Sequence, residues 1–187
     1  MLIVPTLLLF LQLAGTVDFC LQYIFITIVT HNRNPILVEN IETLKESIKN
    51  THFKYNFDIV AIAIMPDHLH MIIKVDNIND YPKIIYSMKY YFSKYINVEK
   101  ISLSESKIKK GEKGVWQRRY WEHTIRNEQD FYRHLDYIHY NPIKHNLVKS
   151  SKDYKYTTFE KFVKLGLYEE NWCNFENKNK IADLDFE

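Results

Sequence analysis

The chain has 187 residues, of which 46% are hydrophobic and 26% are charged, with 4 Gly and 5 Pro. This composition excludes collagen-like, low-complexity and largely disordered proteins, and the length favours one globular domain. The formal net charge of +2 conceals two local imbalances. Six Lys or Arg oppose one Glu between Lys107 and Arg119, and six acidic residues oppose two Lys between Glu169 and Glu187. The sequence therefore predicts a basic segment and an acidic C-terminal tail.

The N-terminal residues are unusually apolar. The stretch "MLIVPTLLLFLQLAG" is similar to a signal-peptide core, but no Lys or Arg precedes Arg33, so the positive charge that begins such signals is missing. It is also shorter than the ~20 apolar residues that a membrane-spanning helix needs. Three interpretations are open: an extra buried element, an atypical export signal, or a displaced start of translation.

Periodicity and turn residues predict the elements that follow. Segments rich in β-branched and aromatic residues predict strands at 23–30, 57–65, 68–75 and 119–127. Apolar residues at helical spacing predict helices at 39–51, at 80–95 and after 127. Asn127 is expected to cap this third helix and Pro142 to end it. The order β-α-β-β-α-β-α predicts an α+β fold with a ferredoxin-like antiparallel sheet covered by helices.

Two histidines share one face of the predicted third strand, "HLHMIIKV". Side chains at i and i+2 of a strand point the same way, so His68 and His70 lie on one face and Leu69 on the other. Such a pair can bind one metal ion. On the pattern alone, two polar residues on an exposed sheet face near a turn are the more common case.

The third predicted helix contains a tyrosine and an asparagine one turn apart. Phe131, Leu135 and Ile138 recur at helical spacing and predict the face that packs on the sheet. Tyr137 and Asn141 lie about a quarter turn from that face. At this boundary a phenol can lie beside the sheet and still reach a substrate, although a half-buried packing tyrosine is the common alternative.

Together the motifs resemble a known family. The segments "MPDHLHMIIKV", "WQRRYWEHTIRNEQDFYRHLDYIHYNPIKHNLV" and "TTFEKFVKLGLYEENW" resemble the REP-associated tyrosine transposases, a branch of the single-tyrosine HUH nucleases and transposases. The resemblance implies a metal-dependent single-strand DNA endonuclease and strand transferase that acts on hairpin-bearing DNA through a 5′-phosphotyrosine. It implies Tyr137 as the nucleophile, and His68, His70 and Asn141 as ligands of Mg²⁺ or Mn²⁺.

The basic segment gains a predicted role beside such an enzyme. A charged run is usually a solvated surface loop, but next to phosphodiester chemistry DNA contacts become the stronger interpretation. The predicted DNA-binding residues are Lys107, Lys109, Lys110, Lys113, Trp116, Arg118 and Arg119. Trp116, Tyr120 and Trp121 are candidates to stack on unpaired bases.

The other histidines are not predicted to bind the metal ion. His123 is expected near the site without an assigned role, and the remaining five are expected to be structural or surface residues: His31, His52, His134, His139 and His145.

These interpretations divide the chain into an atypical N-terminal segment at 1–22, a catalytic domain at 23–148 and a C-terminal segment with the acidic tail at 149–187. The family normally has a short basic, glycine-containing stretch before the first strand, and its absence favours the displaced start. The distant Cys20 and Cys173 match no metal-ligand spacing and fit a cytoplasmic protein. The expected partner is single-stranded or hairpin DNA, with no membrane, for a monomer or a homodimer.

Two other hypotheses stay open at this stage. A catalytically inactive DNA-binding protein derived from a mobile element would keep hairpin binding without cleavage. A ferredoxin-like module that binds RNA or metal would be indifferent to Tyr137.

Overall fold

A four-stranded antiparallel sheet forms the centre of the structure, a computed structural model that describes residues 23–97 and 114–173. The strands are β1 (Tyr23–Val29), β2 (Phe57–Ile64), β3 (His68–Val75) and β4 (Trp121–Thr124). Their order across the sheet is β2-β3-β1-β4. This is the strand order of the ferredoxin-like fold, so the predicted fold class is confirmed.

Two helices cover one face of the sheet. They are α1 (Ile41–His52) and α2 (Tyr81–Tyr95). Because side chains alternate along a strand, Ile24, Ile26 and Ile28 of β1 all point to this face, where they pack with Leu44 and Phe92 of the helices. Each such buried side chain contributes about 1.5 to 3 kcal/mol to folding.

A third helix, α3 (Glu128–Lys144), covers part of the other face. Phe131, Leu135 and Ile138 pack there against Phe25 and Ile72 of the sheet, as predicted. At its start, the side chain of Asn127 accepts a hydrogen bond from the Asp130 N–H at 2.9 Å. The predicted cap is therefore confirmed.

The prediction that Pro142 ends α3 is wrong, because the helix continues to Lys144 with the proline inside it. Proline removes one helical hydrogen bond and crowds the preceding turn. Here residues 137–143 are all buried, and their packing holds the helical course. Past the proline, the His145 N–H donates to the Asn141 carbonyl at 3.0 Å. As a result Tyr137, Asn141 and His145 follow one another at intervals of one helical turn.

The chain after α3 returns to the outer edge of β2. The Ile64 N–H donates to the Tyr156 carbonyl at 2.9 Å, and the Thr158 N–H donates to the Ile62 carbonyl at 3.0 Å. The short helix α4 (Phe159–Lys164) follows. This segment satisfies backbone groups that would otherwise form an open sheet edge.

Two partly buried polar contacts connect the C-terminal segment to α3. The Tyr168 hydroxyl donates to the Asp136 carboxylate at 2.6 Å, and His139 lies 3.1 Å from the Thr158 hydroxyl. Burial lowers the pKa of His139 to about 3, so this imidazole is neutral and acts as a packing residue. Among the described residues, no helix combines the length and apolar character needed to cross a bilayer.

Candidate active site

The two histidines of β3 face α3 and are almost completely buried, with exposed fractions of 1% for His68 and 0% for His70. Their rings lie 5.0 Å apart between centroids, at an interplanar angle of 80°. Burial excludes the alternative of polar residues on an exposed sheet face. A buried imidazole needs polar partners, and each of these has one at Nδ1.

The partners orient the two rings. Nδ1 of His68 lies 2.6 Å from the Asp67 carboxylate, and Nδ1 of His70 lies 2.8 Å from the Thr27 hydroxyl on β1. Because the two nitrogens of an imidazole lie on opposite sides of the ring, Nε2 of each histidine faces away from these partners. Hydrogen bonds of this kind fix the tautomer and orientation of metal-binding histidines.

Tyr137 lies against this pair. Its ring centroid is 5.0 Å from that of His70 and 5.9 Å from that of Phe25. The side chain is fully buried, so Tyr137 is more enclosed than the predicted boundary position beside the sheet or the alternative of a half-buried packing residue. Lys144 adds a nearby cation, with its Nζ 5.1 Å from the centroid of the tyrosine ring. A phosphodiester therefore reaches the phenol only when neighbouring side chains move.

Asn141 lies on α3 between two residues that contact the histidine pair. One turn earlier Tyr137 touches His70, and one turn later the His145 ring lies 4.7 Å from that of His68. Residues four apart share a helix face, so Asn141 faces the two imidazoles. The structure thus brings together all four residues predicted for the reaction centre.

The donor set fits a divalent ion. Asn141 is fully buried, and neither polar atom of its amide makes a hydrogen bond to any residue within 23–97 or 114–173. A buried amide without a partner costs free energy, which a ligand to its oxygen would offset. Two imidazole nitrogens and a carboxamide oxygen suit Mn²⁺, and also Mg²⁺ with water completing the shell.

Asp67 links the site to the molecular surface. Its second carboxylate oxygen lies 3.1 Å from the Arg33 guanidinium. Burial acts to raise the pKa of Asp67, but hydrogen bonds and positive charge from His68 and Arg33 outweigh it and hold the pKa below its usual range. The carboxylate is therefore ionised at neutral pH and can orient His68. Sequence reasoning placed Asp67 only in a turn, although its position beside the first histidine was a usable signal.

A second group of possible metal ligands lies near the start of α3. His123 of β4 is 2.8 Å from the Asp130 carboxylate, and Nδ1 of His134 is 3.1 Å from it. Ligand atoms of the three residues all lie within 4.8 Å of one another, so the group could hold a metal ion. Burial acts to raise the pKa of Asp130, and hydrogen bonds from His123 and the Arg126 N–H lower it below its usual range. Sequence reasoning assigned no chemistry to these residues. Asp130 and His134 lie four residues apart on the predicted helix, but only the fold places His123 of β4 beside them.

The chain is similar to proteins of one known family. Residues 19–141 match the family model described as "Transposase IS200 like". A protein of Haemophilus influenzae named as a REP-associated tyrosine transposase is 39% identical over 150 residues, which cover 79% of this chain and 85% of the relative. This chain belongs to the REP-associated tyrosine transposases. A REP-associated tyrosine transposase of Escherichia coli is 31% identical over 150 residues, covering 80% of this transposase and 83% of the relative.

A solved structure agrees with this family membership. The structure of a REP-associated tyrosine transposase bound to a REP hairpin has a TM-score of 0.68 and 30% identity, with 82% of this transposase and 86% of that chain covered. The predicted family and fold are therefore confirmed.

The predicted DNA-binding residues of the transposase differ in their surroundings. Lys107, Lys109, Lys110 and Lys113 lie outside the described residues. Arg118 and Arg119 are exposed. Trp116 is only partly exposed, because its ring packs 5.1 Å from that of Phe92 and its Nε1 donates to the Lys89 carbonyl. Its environment is that of a packing residue on the face covered by α2.

One histidine without an assigned role lies beside the predicted metal ligands. His145 was expected to be structural or on the surface, and its ring contacts His68. The periodic pattern could not reveal this, because the predicted end of the helix at Pro142 removed His145 from the helical register.

Proposed function

We propose that this transposase is a metal-dependent single-strand DNA endonuclease and strand transferase that cuts hairpin-bearing DNA through a 5′-phosphotyrosine on Tyr137. The observation that carries the proposal is the contact of the Tyr137 ring with His70, 5.0 Å between centroids. It is supported by the buried Asn141 amide on the next turn of the same helix. A relative bound to a REP hairpin supports the substrate class.

The residues divide the work of the reaction. The Tyr137 oxygen attacks the scissile phosphorus, the bond from phosphorus to the 3′ oxygen breaks, and the phenol proton leaves as the 3′ oxygen gains one. A phenol with an ordinary pKa of ~10 is a weak nucleophile at neutral pH. A divalent ion held by His68, His70 and Asn141 would supply Lewis-acid activation of the phosphate.

Neighbouring side chains support this step. Asp67 and Thr27 hold the two imidazoles in fixed orientations through their Nδ1 atoms. The Lys144 cation near the phenol ring favours the negative charge that develops on the tyrosine oxygen as its proton leaves. Because one phosphate ester replaces another, the reaction can run backwards onto a second 3′-hydroxyl, which is strand transfer.

The decisive experiment is capture of the covalent adduct. Purified protein is incubated with Mn²⁺ or Mg²⁺ and a labelled hairpin oligonucleotide that has single-stranded flanks, and the adduct is resolved on a denaturing gel. We expect the wild type and Tyr140→Phe, the matched control in the same helix, to form it, and Tyr137→Phe not to. An adduct formed by Tyr137→Phe would overturn the assignment of Tyr137 as the nucleophile. An adduct formed in the presence of a chelator would overturn the requirement for a metal ion.

The inactive DNA-binding protein is the second candidate function, and the assembled site argues against it. It predicts equal hairpin binding by the wild type and His68→Ala, with cleavage by neither. Tyr137 contacts His70 of the same chain, which supports a site completed within one chain. Mixing Tyr137→Phe with His70→Ala tests this, since adduct formation in the mixture requires a tyrosine helix shared between chains.

A further inference from the structure

The helix α3 covers only part of its sheet face. A pocket of about 300 Å³ lies at the β1–β4 side of the sheet. Thr27, Val29 and Trp121 of the strands and Arg33 and Arg119 of the flanking loops are among its lining residues. The proposed chemistry does not use this pocket.

The pocket adjoins the candidate active site through Thr27. In the sheet register, Thr27 pairs with His70 of β3 on one side and with Trp121 of β4 on the other. Neighbouring strands are about 4.8 Å apart, so Trp121 lies about 10 Å from His70 along this row. The threonine hydroxyl contacts His70 at 2.8 Å while the residue also lines the pocket. A group bound here therefore sits beside the reacting phosphate.

Trp121 forms the exposed end of a column of stacked rings. His134 stacks on His123 at 4.6 Å and 15°, and His123 stacks on Trp121 at 6.0 Å and 13°. Phe25 contacts the indole edge-on, with ring centroids 5.5 Å apart. The Asp130 carboxylate lies 2.8 Å from Nε2 of His123 and holds that ring in place. The column begins in the core and ends in an indole that is 41% exposed. Its end is a rigid aromatic surface of the kind on which an unpaired base stacks.

The charge of the pocket matches a nucleotide. Arg33 and Arg119 line it, and none of its lining residues among those described is acidic. A guanidinium binds phosphate oxygens with two parallel hydrogen bonds. The Asp67 carboxylate already positions the Arg33 guanidinium, at 3.1 Å.

We propose that this pocket binds the unpaired nucleotide next to the scissile phosphate, with its base stacked on Trp121 and its own phosphate on Arg33 or Arg119. The proposal rests on the proposed function and adds a role for the protein in choosing the cleavage position. A base that stacks well here aligns the neighbouring phosphodiester with Tyr137, so the nucleotide in the pocket sets where the strand is cut.

The test measures binding without cleavage, in the Tyr137→Phe background. The fluorescent base 2-aminopurine is placed at each single-stranded position of the hairpin oligonucleotide in turn, since stacking on an indole quenches it. We expect quenching at one position beside the cleavage point, and its loss in Trp121→Ala with roughly 5- to 150-fold weaker binding. Trp121→Phe should restore part of both. The matched control is Tyr86→Ala, an aromatic residue 71% exposed on the helix of the opposite face.

Further arms separate the possible outcomes. Removing the base at the quenched position should abolish the difference in affinity between the Trp121 variants. A free nucleoside monophosphate that competes as well as the oligonucleotide would mean a general nucleotide site and overturn the assignment to the substrate strand. Quenching that Trp121→Ala leaves unchanged overturns the proposal even if the wild type forms the adduct. If quenching depends on Trp121 but the wild type forms no adduct, the result supports the pocket and refutes only the proposed chemistry.

Discussion

The substitution Thr27→Val removes one hydrogen bond at the candidate metal site and almost nothing else. Valine keeps the shape of the buried threonine, so His70 loses the hydroxyl 2.8 Å from its Nδ1 without gaining space to move into. Partners of this kind contribute 10- to 100-fold to metal affinity, which corresponds to about 1.4 to 2.7 kcal/mol. We expect Mn²⁺ binding to weaken by that factor, with unfolding destabilised by only about 1 kcal/mol.

Isothermal titration with Mn²⁺ measures the affinity, and urea unfolding measures the stability. The matched control is Thr51→Val, a buried threonine on the opposite side of the sheet whose hydroxyl contacts Ser47 and Ser87 at 2.9 and 3.1 Å. It should lose stability and keep its metal affinity. If Thr27→Val folds and binds Mn²⁺ as tightly as the wild type, the Thr27 hydroxyl does not orient a metal ligand, and unchanged Mn²⁺ affinity in His70→Ala as well would show that His70 is not a ligand. A loss of binding in His123→Ala instead would move the ion to the cluster with Asp130.

Three further predictions concern the helix and segments that hold the site. Asn127→Ala removes the cap of α3 and should lower the free energy of unfolding by about 1 kcal/mol in urea; an unchanged midpoint would contradict the cap. Tyr168→Phe leaves the partly buried Asp136 carboxylate without its donor and should cost about 1.5 to 3 kcal/mol, and most of that loss should disappear when Asp136→Ala is already present. Burial raises the pKa of Tyr154 to about 12, against ~10 unfolded, so its contribution to stability is complete below pH ~10 and is lost as pH rises towards 12. Tyr154→Phe should flatten that alkaline loss in circular dichroism, and an equally steep loss would refute it.

The elements that could be predicted are those whose pattern is local. The third strand was predicted at His68–Val75 and is observed there, because an apolar β-branched run after a Pro-Asp turn has one favourable course. Asn127 as a cap is a similar case. The end of α3 could not be predicted this way, since the intrinsic cost of Pro142 in a helix is outweighed by burial that only the fold supplies.

In the candidate active site, too, the local patterns could be predicted and the contacts between distant residues could not. The spacing of His68 and His70, and of Tyr137 and Asn141, was readable along the chain. Their partners were not: Thr27 is 43 residues from His70 in sequence, and only the strand register joins them. The full burial of Tyr137 depends on which part of the sheet the helix covers, and the stack that ends at Trp121 depends on the pairing of β4 with β1.

The course of α3 through Pro142 couples the nucleophile to its neighbours. The helix holds Tyr137, Asn141 and His145 on successive turns. Contacts to Tyr168 and Thr158 connect it to the segment that covers the edge of β2. Moving α3 away from the sheet to admit DNA would remove Tyr137 and Asn141 from the candidate active site together. The proposed reaction therefore requires α3 to stay in place while the DNA strand binds, and the pocket at the β1–β4 side of the sheet is the part of this face that the helix leaves open.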